Sequence, residues 1–140
     1  MLDPANVPAV EPDELLARYI FSDRHFSREK RRVKAGAFIP APDGAISVTR
    51  HREATQQEVW QVGRAIARLR NSTLYARADV LSATCENWQL RSEAAPIHGN
   101  PNHANVVGWP MQDKARRKLI AEEIALAANF VPTPESEHRT

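Results

Sequence analysis

The stretch TQQEVWQVGRAIARLRN, residues 55–71, decides how the chain is read. It opens on Thr55-Gln56-Gln57-Glu58, a capping box: the threonine hydroxyl can accept from the third helical amide while the glutamate reaches back. Val59, Val62, Ile66 and Leu69 follow at three- and four-residue steps, and Trp60 and Ala67 widen the stripe, so one helical face is apolar. Arg64, Arg68 and Arg70 suit the negative end of the helix dipole, and Asn71 can stop the helix. Gly63 lies inside the stripe, where glycine costs about 1 kcal/mol against alanine.

Short β-like segments flank this helix on both sides. Upstream, Ala37-Phe38-Ile39 reads as a strand stopped by Pro40-Ala41-Pro42, Asp43-Gly44 as a turn, and 45–49 as a strand alternating around Ile46 and Val48. Downstream, 74–81, 87–93 and 104–109 read as strands, the last stopped by Pro110. Two further helices are expected. One runs from Pro12 to about Ser22, with Glu11, Asp13 and Glu14 at its start and Leu15, Leu16, Tyr19 and Ile20 on one face. The other runs from an Asp113 N-cap to Phe130, with Leu119, Ile120, Ile124, Ala127, Ala128 and Val131 as its stripe.

The expected class is α+β: one small, mostly antiparallel sheet of four to five strands packed against about three helices. The helix-separated strand groups also permit an α/β crossover. Residues 1–10 are expected as a flexible N-terminal arm, 11–131 as a single domain, and 132–140 as a flexible tail.

With 140 residues, 42% of them hydrophobic, the chain can bury most of its unfolded surface without disulfides or a structural metal. Cys85 is the only cysteine, which excludes a disulfide-rich scaffold. The first ten residues lack the basic start and apolar run of a signal peptide, and no stretch approaches the roughly 20 apolar residues of a membrane span. A cytoplasmic protein that does not enter the membrane is therefore expected. The Asn71-Ser72-Thr73 sequon is read as chance.

The net charge of +2 hides an uneven distribution. Arg24, Arg28, Lys30, Arg31, Arg32 and Lys34 fall within eleven residues, and Lys114, Arg116, Arg117 and Lys118 within five, with Glu29 the single acid in either span. Phosphate backbones bind such clusters with release of counterions, and Phe26 could add base stacking. The second cluster occupies the first turns of a helix, where the dipole disfavours cations. Both clusters also read as solvated surface, the long stems covering apolar groups.

Residues 98–105, HGNPNHAN, bring two histidines and three asparagines into one loop. His103, with His98 beside it, is the candidate for proton transfer, since imidazole titrates near neutrality. The same ring can instead cap backbone groups at a strand edge. Cys85, His98 and His103 have the spacing of half a zinc finger, but the preceding cysteine of the required pair is missing, so no metal is expected. Ser27-Arg28-Glu29-Lys30 matches S-x-x-K without the companion K-T-G motif. No nucleophile elbow, P-loop or dinucleotide fingerprint occurs, and no cofactor is expected. Of the tryptophans, two of three are read as core.

Three functions remain on these grounds. The first is a basic binding or accessory protein that engages a polyanion, nucleic acid foremost. The second is a small nuclease or phosphate-ester-processing enzyme in which His103, with His25 or His98, moves protons while arginines stabilise phosphate charge. The third is a regulatory subunit that meets a protein partner.

Overall fold

In the computed structural model, which describes residues 1–137, the chain runs through β1 (Leu15–Ile20), β2 (Phe26–Ser27), β3 (Arg32–Val33), β4 (Ile46–Arg50), α1 (Gln56–Arg70), β5 (Ala76–Leu81), α2 (Ser82–Glu86), β6 (Arg91–Ala94), β7 (His103–Val107), α3 (Lys114–Ala127), β8 (Asn129–Pro132) and α4 (Pro134–Glu137). Six strands form one antiparallel sheet in the order β6-β7-β4-β1-β5-β8, and β2 and β3 form a separate hairpin. The class is thus α+β, with six sheet strands where four to five were expected. β4 and β5 both run antiparallel to β1, so α1 carries the chain across β1 between two parallel strands.

The helix at residues 56–70 forms as its capping box dictates. Glu58 N donates to Thr55 Oγ1 at 3.0 Å, Thr55 N donates to the Glu58 carboxylate at 2.9 Å, and Asn71 closes the helix in the left-handed region. Val59, Trp60, Val62, Gly63 and Ala67 are its buried residues. Leu69 is not among them; it is 88% exposed. At 3.6 residues per turn it falls about 80° from Val59, just past the edge that Val62 marks, whereas Arg70 falls only about 20° from Val59.

The expected first helix is instead β1, the central strand of the sheet. Its six residues feed both faces: Leu16 and Ile20 join the larger core, Ala17 and Tyr19 the smaller one under α1. A short apolar run buried on both sides is compatible with either period, and Pro12 forms a turn here, with Glu14 N on Glu11 O at 3.1 Å. The 37–39 segment is likewise not a strand: Ala37 and Phe38 close a 3₁₀ turn over Ala35–Phe38, which packs on α3, and Ile39 follows it in extended conformation. β8 and the short α2 were not expected. The last helix ends at Ala127, and the chain straightens at Ala128 to add β8 to the sheet edge beside β5. Its buried residues are Ile120, Ala121, Ile124 and Ala125, while Leu119 and Ala127 of the expected stripe are exposed.

The larger core lies between the sheet and a layer made of α3, the hairpin and the 35–38 turn. Ala76, Ala78 and Ala104 on that sheet face carry only a methyl group, which lets the covering layer come close. Trp60 and Trp109 are buried and Trp88 is half-buried.

The first ten residues, expected as an arm, make specific contacts. Leu2 is buried, and its amide donates to Asn102 Oδ1 at 2.8 Å. Of the expected tail, 132–137 enters β8 and α4, and 138–140 lie outside the described residues. No helix among the described residues is long and apolar enough to cross a membrane.

Candidate polyanion interface

The first basic cluster is carried by the β2–β3 hairpin and its flanks. Ser22 caps a 3₁₀ turn over Asp23–His25, β2 follows, and the chain reverses through Arg31, whose φ of 48° is left-handed. The hairpin is held by its apolar residues. Phe26 and Val33 are buried, and the Phe26 ring stacks on Phe130 at 5.4 Å and meets Tyr75 at 5.6 Å. With the apolar side turned inward, the cations between them turn outward. Arg24, Arg28, Lys30, Arg31, Arg32 and Lys34 are all exposed. Arg28 lies over the Phe26 ring at 5.8 Å and Arg31 over Phe130 at 5.9 Å. Phe26 itself is only 8% exposed, so it anchors the hairpin and is not available to stack on a base.

The second cluster sits on the first turns of α3. Asp113 caps this helix, its carboxylate accepting from Arg116 N at 3.0 Å, which offsets part of the cost of cations at a positive helix end. Lys114, Arg116 and Lys118 are exposed. Arg116 lies over the Trp88 ring at 6.0 Å, and the half-buried Arg117 donates to Met111 O at 2.7 Å.

The two clusters, some 80 residues apart in the chain, share α3. β3 packs on this helix, and a groove of about 350 Å³ opens between Arg32, Lys34 and Ala35 on one wall and Glu122, Ala125 and Leu126 on the other. Lys114, Lys118 and Glu122 follow at four-residue steps on one helical ridge, so Lys118 stands one turn, about 6 Å, from the groove. Among the described residues, none of Arg24, Lys30, Arg32, Lys34, Lys114, Arg116, Arg117 and Lys118 takes part in an ion pair. Glu122 at the groove and the exposed Glu29 on the hairpin interrupt the surface with negative charge.

The histidine loop is built differently. Asn102 is fully buried, and its amide donates to Arg50 O at 2.7 Å and Arg52 O at 2.8 Å. Asn100 Nδ2 donates to Thr49 Oγ1 at 3.1 Å. These asparagines tie the loop to the end of β4. His103 is half-buried, and its Nδ1 bonds Ala95 O at 2.8 Å; among the described residues no acid or nucleophile side chain bonds it. His98 is exposed. Burial, helped by the Glu86 charge, pushes the Cys85 thiol up to about 12, and no group of three His, Cys, Asp or Glu among the described residues is placed to hold a metal.

Sequence reasoning missed two buried arginine clusters. Arg50 points into the larger core, with Nε and Nη2 each 2.7 Å from the two Glu14 oxygens and Nη1 on Pro8 O at 2.8 Å. Arg77, on the α1 side of β5, holds Asp79 with its Nε at 3.0 Å, and Asp79 in turn bonds His51 Nε2 at 3.0 Å. Arg77 also donates to Gln56 and lies over the Trp60 ring at 4.5 Å; its Nη1 has no hydrogen-bond partner among the described residues. An arginine in a strand otherwise reads as a solvent-facing residue, so only a carboxylate brought from elsewhere in the fold reveals either cluster.

No protein family, curated protein or solved structure matches the chain.

Proposed function

We propose that the protein binds a polyanion, nucleic acid foremost, on the surface shared by the β2–β3 hairpin and α3. One observation supports this above others: cations from two distant segments come to one helix, and eight of them form no ion pair among the described residues. Folding does not need them there. Like charges brought together raise the free energy of the folded state, and a phosphate chain removes that cost while releasing its counterions. The recognition this surface offers is of backbone charge, because Phe26 is buried and cannot read a base.

The enzymatic reading through His103 has less support, since the ring is held by a backbone carbonyl and has no acid partner among the described residues. Charge reversal tests the proposal. Lys114→Glu/Lys118→Glu on α3 and Arg32→Glu/Lys34→Glu on the hairpin should each weaken binding of a labelled oligonucleotide about tenfold or more, at unchanged melting temperature. If only one pair matters, the shared surface is wrong; if neither does, the proposal is wrong.

A further inference from the structure

Beyond Ala17, β1 and β4 part: their register covers only Leu16↔Arg50 and Ala17↔Thr49. Arg18 fills the gap. Its Nε donates to Ala37 O at 2.8 Å and its Nη1 to Ser47 O at 3.0 Å, so the guanidinium is held in place by backbone, with no carboxylate bound to it among the described residues. Of its five N–H groups, the other three have no protein acceptor among the described residues. This guanidinium forms one wall of a cavity of about 160 Å³ lined also by Tyr19, Phe21, Ser22, His25 and Arg70.

Every ionisable group at this cavity other than the tyrosine is a cation or can become one. Arg70 is brought there by its place on the sheet-facing arc of α1, and it stacks over the Phe21 ring at 5.0 Å. It forms no ion pair among the described residues. His25 is seated against Gly36, where an added Cβ would stand 2.6 Å from its ring, so the glycine makes room for the imidazole. The Ser22 hydroxyl accepts from Arg24 N at 3.2 Å and keeps its own proton to donate. Burial, with the charge of Arg70, pulls the Arg18 guanidinium down to about 10. Two arginines forced together without an acid are the arrangement that an oxyanion relieves. The cavity falls below the roughly 300–1,000 Å³ of sites for drug-sized ligands and has room for one small anion or the end group of a larger molecule.

We infer that the Arg18–Arg70–His25 cavity is a binding site for one tetrahedral oxyanion, a phosphate group, set apart from the distributed surface on α3. Arg18 donates from its free edge, Arg70 supplies the second charge from the rim, and Ser22 and His25 complete the donors. The site does not depend on the polyanion reading, and its test separates the two.

The full chain is titrated with inorganic phosphate, and with potassium chloride at matched ionic strength, while backbone amide shifts are followed. Phosphate should give a saturable one-site response centred on residues 18–25, 37 and 70, and chloride should not. Arg70→Met, a change at an exposed side chain, should weaken phosphate about tenfold, and Arg18→Met should abolish it. Lys114→Glu/Lys118→Glu should leave phosphate binding within about threefold, whatever it does to oligonucleotides. Methyl phosphate and a 5′-phosphorylated dinucleotide then distinguish a free phosphate ligand from the end of a nucleic acid: the dinucleotide binding more tightly assigns the end group, and equal binding assigns phosphate alone. No saturable response, an equal response to chloride, or an unaffected Arg70→Met chain would overturn the inference.

Discussion

Replacing Arg50 with methionine should be among the most damaging single changes on the larger-core face of the sheet. Arg50 is fully buried and Glu14 is 7% exposed, and the two share a bidentate contact at 2.7 Å in each arm. Methionine keeps length and removes every donor. Glu14 is then left in the core with the Glu11 amide at 2.8 Å and Arg52 at 3.5 Å, and the Pro8 and Ala9 carbonyls lose their partner. Removing one partner of a buried pair costs about 3–5 kcal/mol. Against a total of roughly 5–15 kcal/mol, and with m near 2 kcal/mol/M, the urea midpoint should fall by about 2 M. The double variant Glu14→Gln/Arg50→Met should be less damaged than the sum of the singles.

The pH dependence gives an independent check on the same pair. Burial pushes the Glu14 carboxyl up, but the Arg50 bond, the Glu11 amide and the charges of Arg50 and Arg52 together hold it below 4.5. A depressed carboxyl stabilises the fold above about pH 4.5, and this contribution is lost as pH falls through the folded value. Without Arg50 the carboxyl rises, so the deficit of Arg50→Met should be largest at pH 7 and narrow at pH 4. A loss under 1 kcal/mol, or a deficit equal at both pH values, would refute the reasoning.

Three other outcomes follow from packing and titration. Gly63→Ala, which helix propensity alone would favour by about 1 kcal/mol, should destabilise, because the new methyl would sit 2.7 Å from Tyr19 Cε1 and that ring is anchored by its hydroxyl on Val59 O at 2.5 Å; a higher melting temperature contradicts this. Cys85, fully buried and with its thiol pushed up to about 12, should resist a thiol reagent at pH 8 until urea unfolds the chain; reaction of the native protein at the unfolded rate contradicts this. Burial and the Arg18 charge pull His25 below the usual histidine range, so it is neutral near pH 7 and should gain a proton when an anion enters beside it. Arg18 and Tyr19 of β1 and Arg70 of α1 share that cavity, and Tyr19, pushed up to about 12 chiefly by burial, stays neutral. Sulfate, which does not itself titrate there, should therefore bind more tightly at pH 6 than at pH 8. Without ligand the same histidine makes the fold less stable as pH drops below about 6.5. Sulfate affinity unchanged between the two pH values, measured by calorimetry, contradicts this role.

The parts of the fold that local chemistry dictates were readable from the residues. The capping box at Thr55, the Asp113 cap and the alternation around Ile46 and Val48 each have a single local solution. β1 was not readable, because LLARYI fits a helix face as well as a strand covered on both sides, and only its neighbours β4 and β5 decide between them. Leu69 shows the same limit on a smaller scale: its spacing placed it on the stripe, and its phase set it just outside the buried arc. The basic clusters were visible as charge, but their meeting on α3 depends on where the hairpin packs. The cavity at Arg18 was hidden altogether, since it is assembled from a strand, a 3₁₀ turn and a helix end whose residues are spread from 18 to 70.

The central claim is tested most directly by the salt dependence of oligonucleotide binding. With eight cations that form no ion pair among the described residues, a plot of log affinity against log salt should have a slope of about −7 on duplex DNA or about −6 on a single strand if all engage phosphates, and no shallower than about −3 if only half do. Lys114→Glu/Lys118→Glu should flatten it by about 2. A slope near zero, or no binding to DNA or RNA at low salt, would contradict the account.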